Sequence, residues 1–143
     1  MTLDIDARAY LAGLDAVLNR WTRAAHGVIT ETAVDVEHAA ARRVLVDTGA
    51  TLASGKVTSS TTGSSASATV SFGRTAIWQE FGTAPHVIEP KTPGGVLVFT
   101  GRDGATVYAA YVHHPGTRPR PFLRPAMARA PAFLRVHARA RFR

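Results

Sequence analysis

An apolar stripe at helical spacing fills the first third of the chain and limits what it can fold into. Leu11, Leu14, Leu18, Trp21, Ala25, Val28, Thr32, Val36, Ala39 and Val44 follow one another in steps of mostly three and four, which sets them along one side of a helix. Asp4 and Asp6 suit the positive end of such a helix, and Arg42 and Arg43 suit the other. A continuous helix of about 40 residues is ~60 Å long, whereas a domain of this size is about 30 Å across. The helix therefore either projects or bends. Gly27, followed by the β-branched Val28, Ile29 and Thr30, is the expected weak point. Residues 1–46 are read as one helix or a kinked helix pair. A projecting helix leaves its stripe to a partner subunit, while a folded-back pair covers it within the chain.

After Asp47-Thr48-Gly49, read as the helix stop, the period changes to two. Ala66, Ala68, Val70 and Phe72 alternate with Ser65, Ser67, Thr69 and Ser71, the pattern of a half-buried strand. Residues 52–58 are expected to pair with it through a turn at 59–64 that contains Gly63. Val96-Leu97-Val98-Phe99 and residues 106–112 make a second expected hairpin around Gly101-Arg102-Asp103-Gly104. Residues 86–90 read as a short strand. From Pro121 a last helix is expected, with Pro125 in its first turn and Pro131 kinking or restarting it. This order predicts an α+β fold, with a long N-terminal helix and a C-terminal helix packed on an antiparallel or mixed β-sheet. The 143 residues suit a single domain, 1–143, made of the helical stretch 1–46, a β-sheet region 47–120 and an arginine-rich helix 121–143.

Hydrophobic residues make up 45% and charged residues 19%, values usual in soluble globular proteins. No apolar run approaches the roughly 20 residues that span a bilayer, and Met1–Asp6 lacks the pattern of a signal peptide. No membrane partner is expected, and synthesis in the cytoplasm is the simplest reading. The chain has no cysteine, which rules out disulfide scaffolds, thiol catalysis and thiolate metal sites. The net charge of +7 is uneven: residues 1–47 hold five arginines against seven acids, and 48–143 hold twelve Lys or Arg against three. Eight arginines lie between Arg118 and Arg143, with no acid after Asp103. Such a segment attracts polyanions, DNA among them. It equally suits a solvated tail, or pairing with acidic faces of neighbouring subunits.

Three sets of residues raise the question of catalysis. Val44-Leu45-Val46-Asp47-Thr48-Gly49-Ala50 carries the Asp-Thr-Gly-Ala signature of retroviral-type aspartic proteases, in which two subunits each supply one carboxylate to activate water. In those proteases the motif leaves a strand; here it follows a helical pattern. Among the histidines, only His113 and His114 are adjacent, and neighbours on a strand point to opposite faces, which suits no shared metal. Pro93-Gly94-Gly95 lacks the setting and the Lys-Ser/Thr of a phosphate loop. No catalytic, cofactor-binding or metal-binding residues are assigned. Alternatives to a structural role are the protease built on Asp47 and a small basic, nonspecific DNA-binding protein using residues 118–143.

The most distinctive stretch is Tyr111-Val112-His113-His114-Pro115-Gly116-Thr117, followed by Pro121-Phe122-Leu123-Arg124-Pro125-Ala126. Its prolines stiffen a loop, which lowers the entropy lost on docking. This stretch resembles the C-terminal signature of the neck and tail-completion proteins of siphophages, a family of head–tail joining or minor tail components. Trp78-Gln79-Glu80-Phe81-Gly82-Thr83 is similar to the family's Val-Glu-Phe-Gly-Thr motif. Asp47-Thr48-Gly49-Ala50-Thr51-Leu52-Ala53-Ser54 is similar to its Thr-Gly-x-Leu-x-x-Ser motif with one extra residue, and residues 86–99 resemble the segment that follows the Phe-Gly-Thr motif. The ordered matches cover about residues 47–126. The resemblance implies a non-enzymatic virion protein, made in the host bacterial cytoplasm and placed at the head–tail junction. It implies a homo-oligomeric ring, expected to be a hexamer, between head-closure or connector proteins and the tail terminator or tail tube, with nonspecific contact to DNA in the lumen. The candidate interface residues are Trp78, Glu80, Phe81, His114, Pro115, Phe122, Leu123 and Arg124. The candidate DNA-facing residues are Arg135, Arg139 and Arg141.

Overall fold

The apolar stripe does form one helix. In the computed structural model, which describes residues 7–142, α1 runs unbroken from Arg8 to Ala41 over 34 residues, about 51 Å. It is continuous through Gly27. The guanidinium of Arg141 lies against this glycine, where a Cβ would stand; being the tip of a flexible side chain, it could move aside. The expected roles of Asp4 and Asp6 lie outside the described residues. The helix also stops earlier than expected. Arg43 N–H bonds to the Ala40 carbonyl (2.8 Å) and Val44 N–H to that of Ala41 (3.3 Å), a tightened last turn that satisfies terminal carbonyls. Gly49, with φ of 80°, instead precedes the short helix α2, Ala50–Ala53.

The fold is α+β. The hairpin β1 (Lys56–Thr62) and β2 (Ser65–Ser71) is antiparallel, with Val57 opposite Val70 and Ser60 opposite Ser67. Its first strand starts later than residue 52 and runs further, because Leu52 is taken into α2. A short helix, α3 (Ala76–Phe81), follows, where the sequence pattern marks no element. Then come β3 (His86–Ile88), β4 (Leu97–Thr100), β5 (Thr106–Ala109) and β6 (Val112–His114). The strand expected over 106–112 is thus two strands with different partners: β4 pairs with β5, and β3 with β6. In place of one sheet there are three two-stranded ones. The C-terminal segment is α4 (Leu123–Met127) and α5 (Ala130–Arg141), restarted with proline in its first turn, where the missing N–H costs nothing.

The chain gathers into two compact units, one from residues up to Ala76 together with those from Pro121 onward, the other Ile77–Arg120. In the first unit, α1, β1–β2, α4 and α5 enclose a core of Val36, Ala39, Ala40, Val44, Ala76, Phe122 and Ala126, with Val70, Phe72, Leu123, Ala130 and Phe133 against it. Phe72 meets Phe122 edge to face, ring centroids 5.1 Å apart. Ser54 joins α2 to the end of β2: its Oγ accepts from Gly73 N–H (2.8 Å) and donates to the Thr51 carbonyl (2.6 Å). In the second unit, among the described residues, no apolar side chain is buried.

Candidate assembly surfaces

Two surfaces are left uncovered, and a local clasp lies in the second unit. The first surface is the leading half of α1. Tyr10, Leu11, Leu14, Val17 and Leu18 are all exposed, whereas Val28, Ala33, Val36, Ala39 and Ala40, further along the same helix, are buried. One stripe is therefore core at one end and open at the other. Trp21, at the end of this half, stacks on Phe142 with ring centroids 4.9 Å apart. Substituting Leu14→Asp and Leu18→Asp together is expected to change the melting temperature by no more than a few degrees, since exposed positions away from the core carry little stability.

The clasp explains two of the sequence motifs. Gly82 ends α3 as a left-handed residue (φ 71°), its N–H on the Trp78 carbonyl at 2.8 Å, the usual role of glycine past a helix end. Gly116 is also left-handed (φ 81°). The threonines after them meet as an isolated antiparallel bridge: Thr83 N–H to the Thr117 carbonyl at 3.0 Å, Thr117 N–H to the Thr83 carbonyl at 3.1 Å, and the two hydroxyls 2.9 Å apart. A Cβ on Gly82 would collide with the Thr117 carbonyl oxygen and approach Pro119 N to 2.8 Å; one on Gly116 would collide with the Thr83 carbonyl oxygen. Arg120 N–H closes the base on the Gln79 carbonyl at 2.8 Å. The Phe-Gly-Thr and Pro-Gly-Thr motifs are thus two halves of one clasp.

Alongside it, His86 and His114 sit opposite each other in β3–β6, ring centroids 5.0 Å apart. His86 Nδ1–H donates to the Ala84 carbonyl (2.9 Å), and His114 Nδ1 accepts from Gly116 N–H (3.1 Å). Both rings are held by their own loops. No cluster of three or more His, Asp or Glu side chains suited to a metal ion occurs among the described residues. Nor, among them, is any helix long and apolar enough to cross a membrane. Asp47 is exposed on an irregular stretch between α1 and α2, unlike the strand end that carries the aspartate in the proteases its motif resembles.

The candidate interface residues divide. Trp78, Phe81, Pro115 and Arg124 are exposed, and His114 is half-buried. Glu80 is only 5% exposed and Phe122 only 1%. Phe122 is a correction: the proline-rich loop delivers it into the core of its own chain, and Leu123 packs partly against the same core. Neither is displayed to a neighbour. The arginines divide too. Arg141 is paired with Glu31 of α1 and so is committed within the chain. His137 beside it contacts Glu31 (3.2 Å) and Asp35 (2.8 Å). Arg135 turns back to the Pro131 carbonyl at 3.0 Å. Arg139 is exposed. Arg141→Glu should therefore cost about 0.5–1 kcal/mol of stability in thermal melts by setting two carboxylates together, whereas Arg139→Glu should leave stability unchanged.

Sequence reasoning missed the apolar display of the β4–β5 hairpin. The signal is present: Val96-Leu97-Val98-Phe99 is a continuous apolar run, the mark of a strand meant to be covered on both faces. No family model, curated protein or solved structure matches the chain.

Proposed function

We propose that this chain is a structural subunit of the head–tail junction of a long-tailed bacteriophage. Copies of it form a ring, by expectation a hexamer, that joins the capsid connector to the tail. It carries out no chemistry of its own. The carrying observation is the set of large apolar side chains left uncovered: Tyr10, Leu11, Leu14, Val17 and Leu18 on the leading half of α1, and Val87, Val98 and Tyr108 on strands of the second unit, are all exposed, and such patches mark association sites.

Head-to-tail association in a ring requires two different faces on each subunit, and the open half of α1 and the second unit supply two. The ordered resemblance over residues 47–126 supports the placement in the neck. The structural work done by its motifs, a clasp and a core phenylalanine, is consistent with a protein that is built to be rigid rather than reactive. Exposed basic residues such as Arg139 suit a lumen that passes DNA, since nonspecific contacts do not hold it in register. Locating a tagged copy in intact virions by labelled electron microscopy tests the reading. Label at the head–tail junction is expected; label on the capsid or tail shaft, or none, would overturn it. The Leu14→Asp, Leu18→Asp variant should fold but fail to enter virions.

A further inference from the structure

An open hollow of about 380 Å³ lies where the end of α5 meets α1, lined by Arg20, Trp21, Ala24, Arg141 and Phe142. Both helices belong to the first unit. Trp21 and Phe142 stack with their ring planes 9° apart, which fixes the end of α5 on α1, and both rings remain exposed. The charge around the hollow is one-sided. Residues 16–30 of α1 carry Arg20 and Arg23 and no Asp or Glu, and no acid follows Asp103. Both arginines are exposed, and no carboxylate of the described residues pairs with either. Asp15 precedes Arg20 by five residues, which sets it about 140° round the helix. The first acid on the other side is Glu31, already held by Arg141 and His137. Arg139 and Arg141 stand in the last turn of α5 and offset the negative end of that helix.

We infer that this hollow is a DNA-docking surface, which takes the phosphate backbone on Arg20 and Arg23 beside Trp21. The inference rests on the reading of the chain as a ring subunit through which DNA passes, and adds the surface that meets it. Charge selects the occupant. Two unpaired guanidiniums one turn apart, on an acid-free stretch of helix, suit a continuous line of phosphates. A guanidinium also matches phosphate with paired N–H donors. Arg141 serves as a screen: by holding Glu31 it removes the carboxylate that would repel the strand. The contact reads no base edges, so every sequence is taken alike.

The test uses the full chain and a short DNA duplex of arbitrary sequence, in a Trp78→Phe background that leaves Trp21 as the one tryptophan. The duplex is expected to bind and to change the Trp21 emission. Arg20→Glu and Arg23→Glu introduced together should weaken binding about tenfold or more, and should lower the slope of log affinity against log salt by about two. Both positions are exposed, so the circular dichroism spectrum should be kept. Arg43→Glu is the control. It lies past the far end of α1, about 30 Å along the axis from Arg23, beyond the reach of screened charge, and should leave affinity nearly unchanged. Arg141→Gln should weaken binding by uncovering Glu31, and adding Glu31→Gln should restore it. Poly-glutamate at equal charge and ionic strength should not displace the duplex. No binding by the unaltered chain, equal losses for the Arg20–Arg23 and Arg43 variants, an unmoved Trp21 emission, or displacement by poly-glutamate would each overturn the inference. None of these outcomes touches the ring reading, which label in virions judges separately.

Discussion

Phe122→Ala should remove roughly 3–5 kcal/mol of stability, the usual cost of truncating a fully buried phenylalanine. The melting temperature of the unit that holds it should fall by roughly 15 °C or more. The reason is how few large side chains that unit encloses. Phe122 and Val36 are its largest fully buried ones, and much of the remaining core is alanine. Phe122 also fixes Phe72 at the end of β2 by an edge-to-face contact, so its loss leaves a cavity that small neighbours cannot fill. Thermal denaturation followed by circular dichroism measures the effect. A change below about 1 kcal/mol would mean that Phe122 is not in the core, and would restore it as an interface residue.

Gly82→Ala and Gly116→Ala should each cost roughly 2–4 kcal/mol in the second unit, from left-handed backbone strain together with a displaced carbonyl. The readout is hydrogen exchange at the amides of Thr83 and Thr117, each of which donates across the clasp. Both should lose protection in either variant. Because the two glycines serve one structure, the double variant should cost clearly less than the two single effects added together. Gly13→Ala is the control: no atom stands within 4 Å of a Cβ placed there, and in mid-helix alanine should gain about 0.5–1 kcal/mol.

The helix, the two outer hairpin strands and the proline restart were legible because each is written in local periodicity or in the backbone limits of proline. Leu11 to Ala39 mark α1 by spacing alone, and Ala66 to Val70 mark β2 by alternation. What was not legible depended on contacts distant in sequence. Gly27 looks like a breaker, yet α1 is continuous through it, and Arg141, which lies against it, is brought near only by α5. Phe122 follows a stiff loop and looks displayed, yet its fate is set by Phe72 and Ala126 closing over it. The split of residues 106–112 between two partners is a pairing choice, and no local pattern encodes it. The candidate surfaces were legible in part: α1 by its excess length, and Trp78 and Phe81 by their motif. The β4–β5 hairpin is legible as structure, but its local pattern does not say what covers its second face.

The closing bond from Arg120 to Gln79 has an evolutionary consequence. Everything between them leaves and returns through one narrow base, while the other unit completes its own core without burying an apolar side chain from that excursion. Insertions, deletions or wholesale exchange of the intervening ribbons therefore need only preserve the glycines and threonines at the neck of the loop. A lineage could exchange this cassette while the framework that folds the other unit stays as it is.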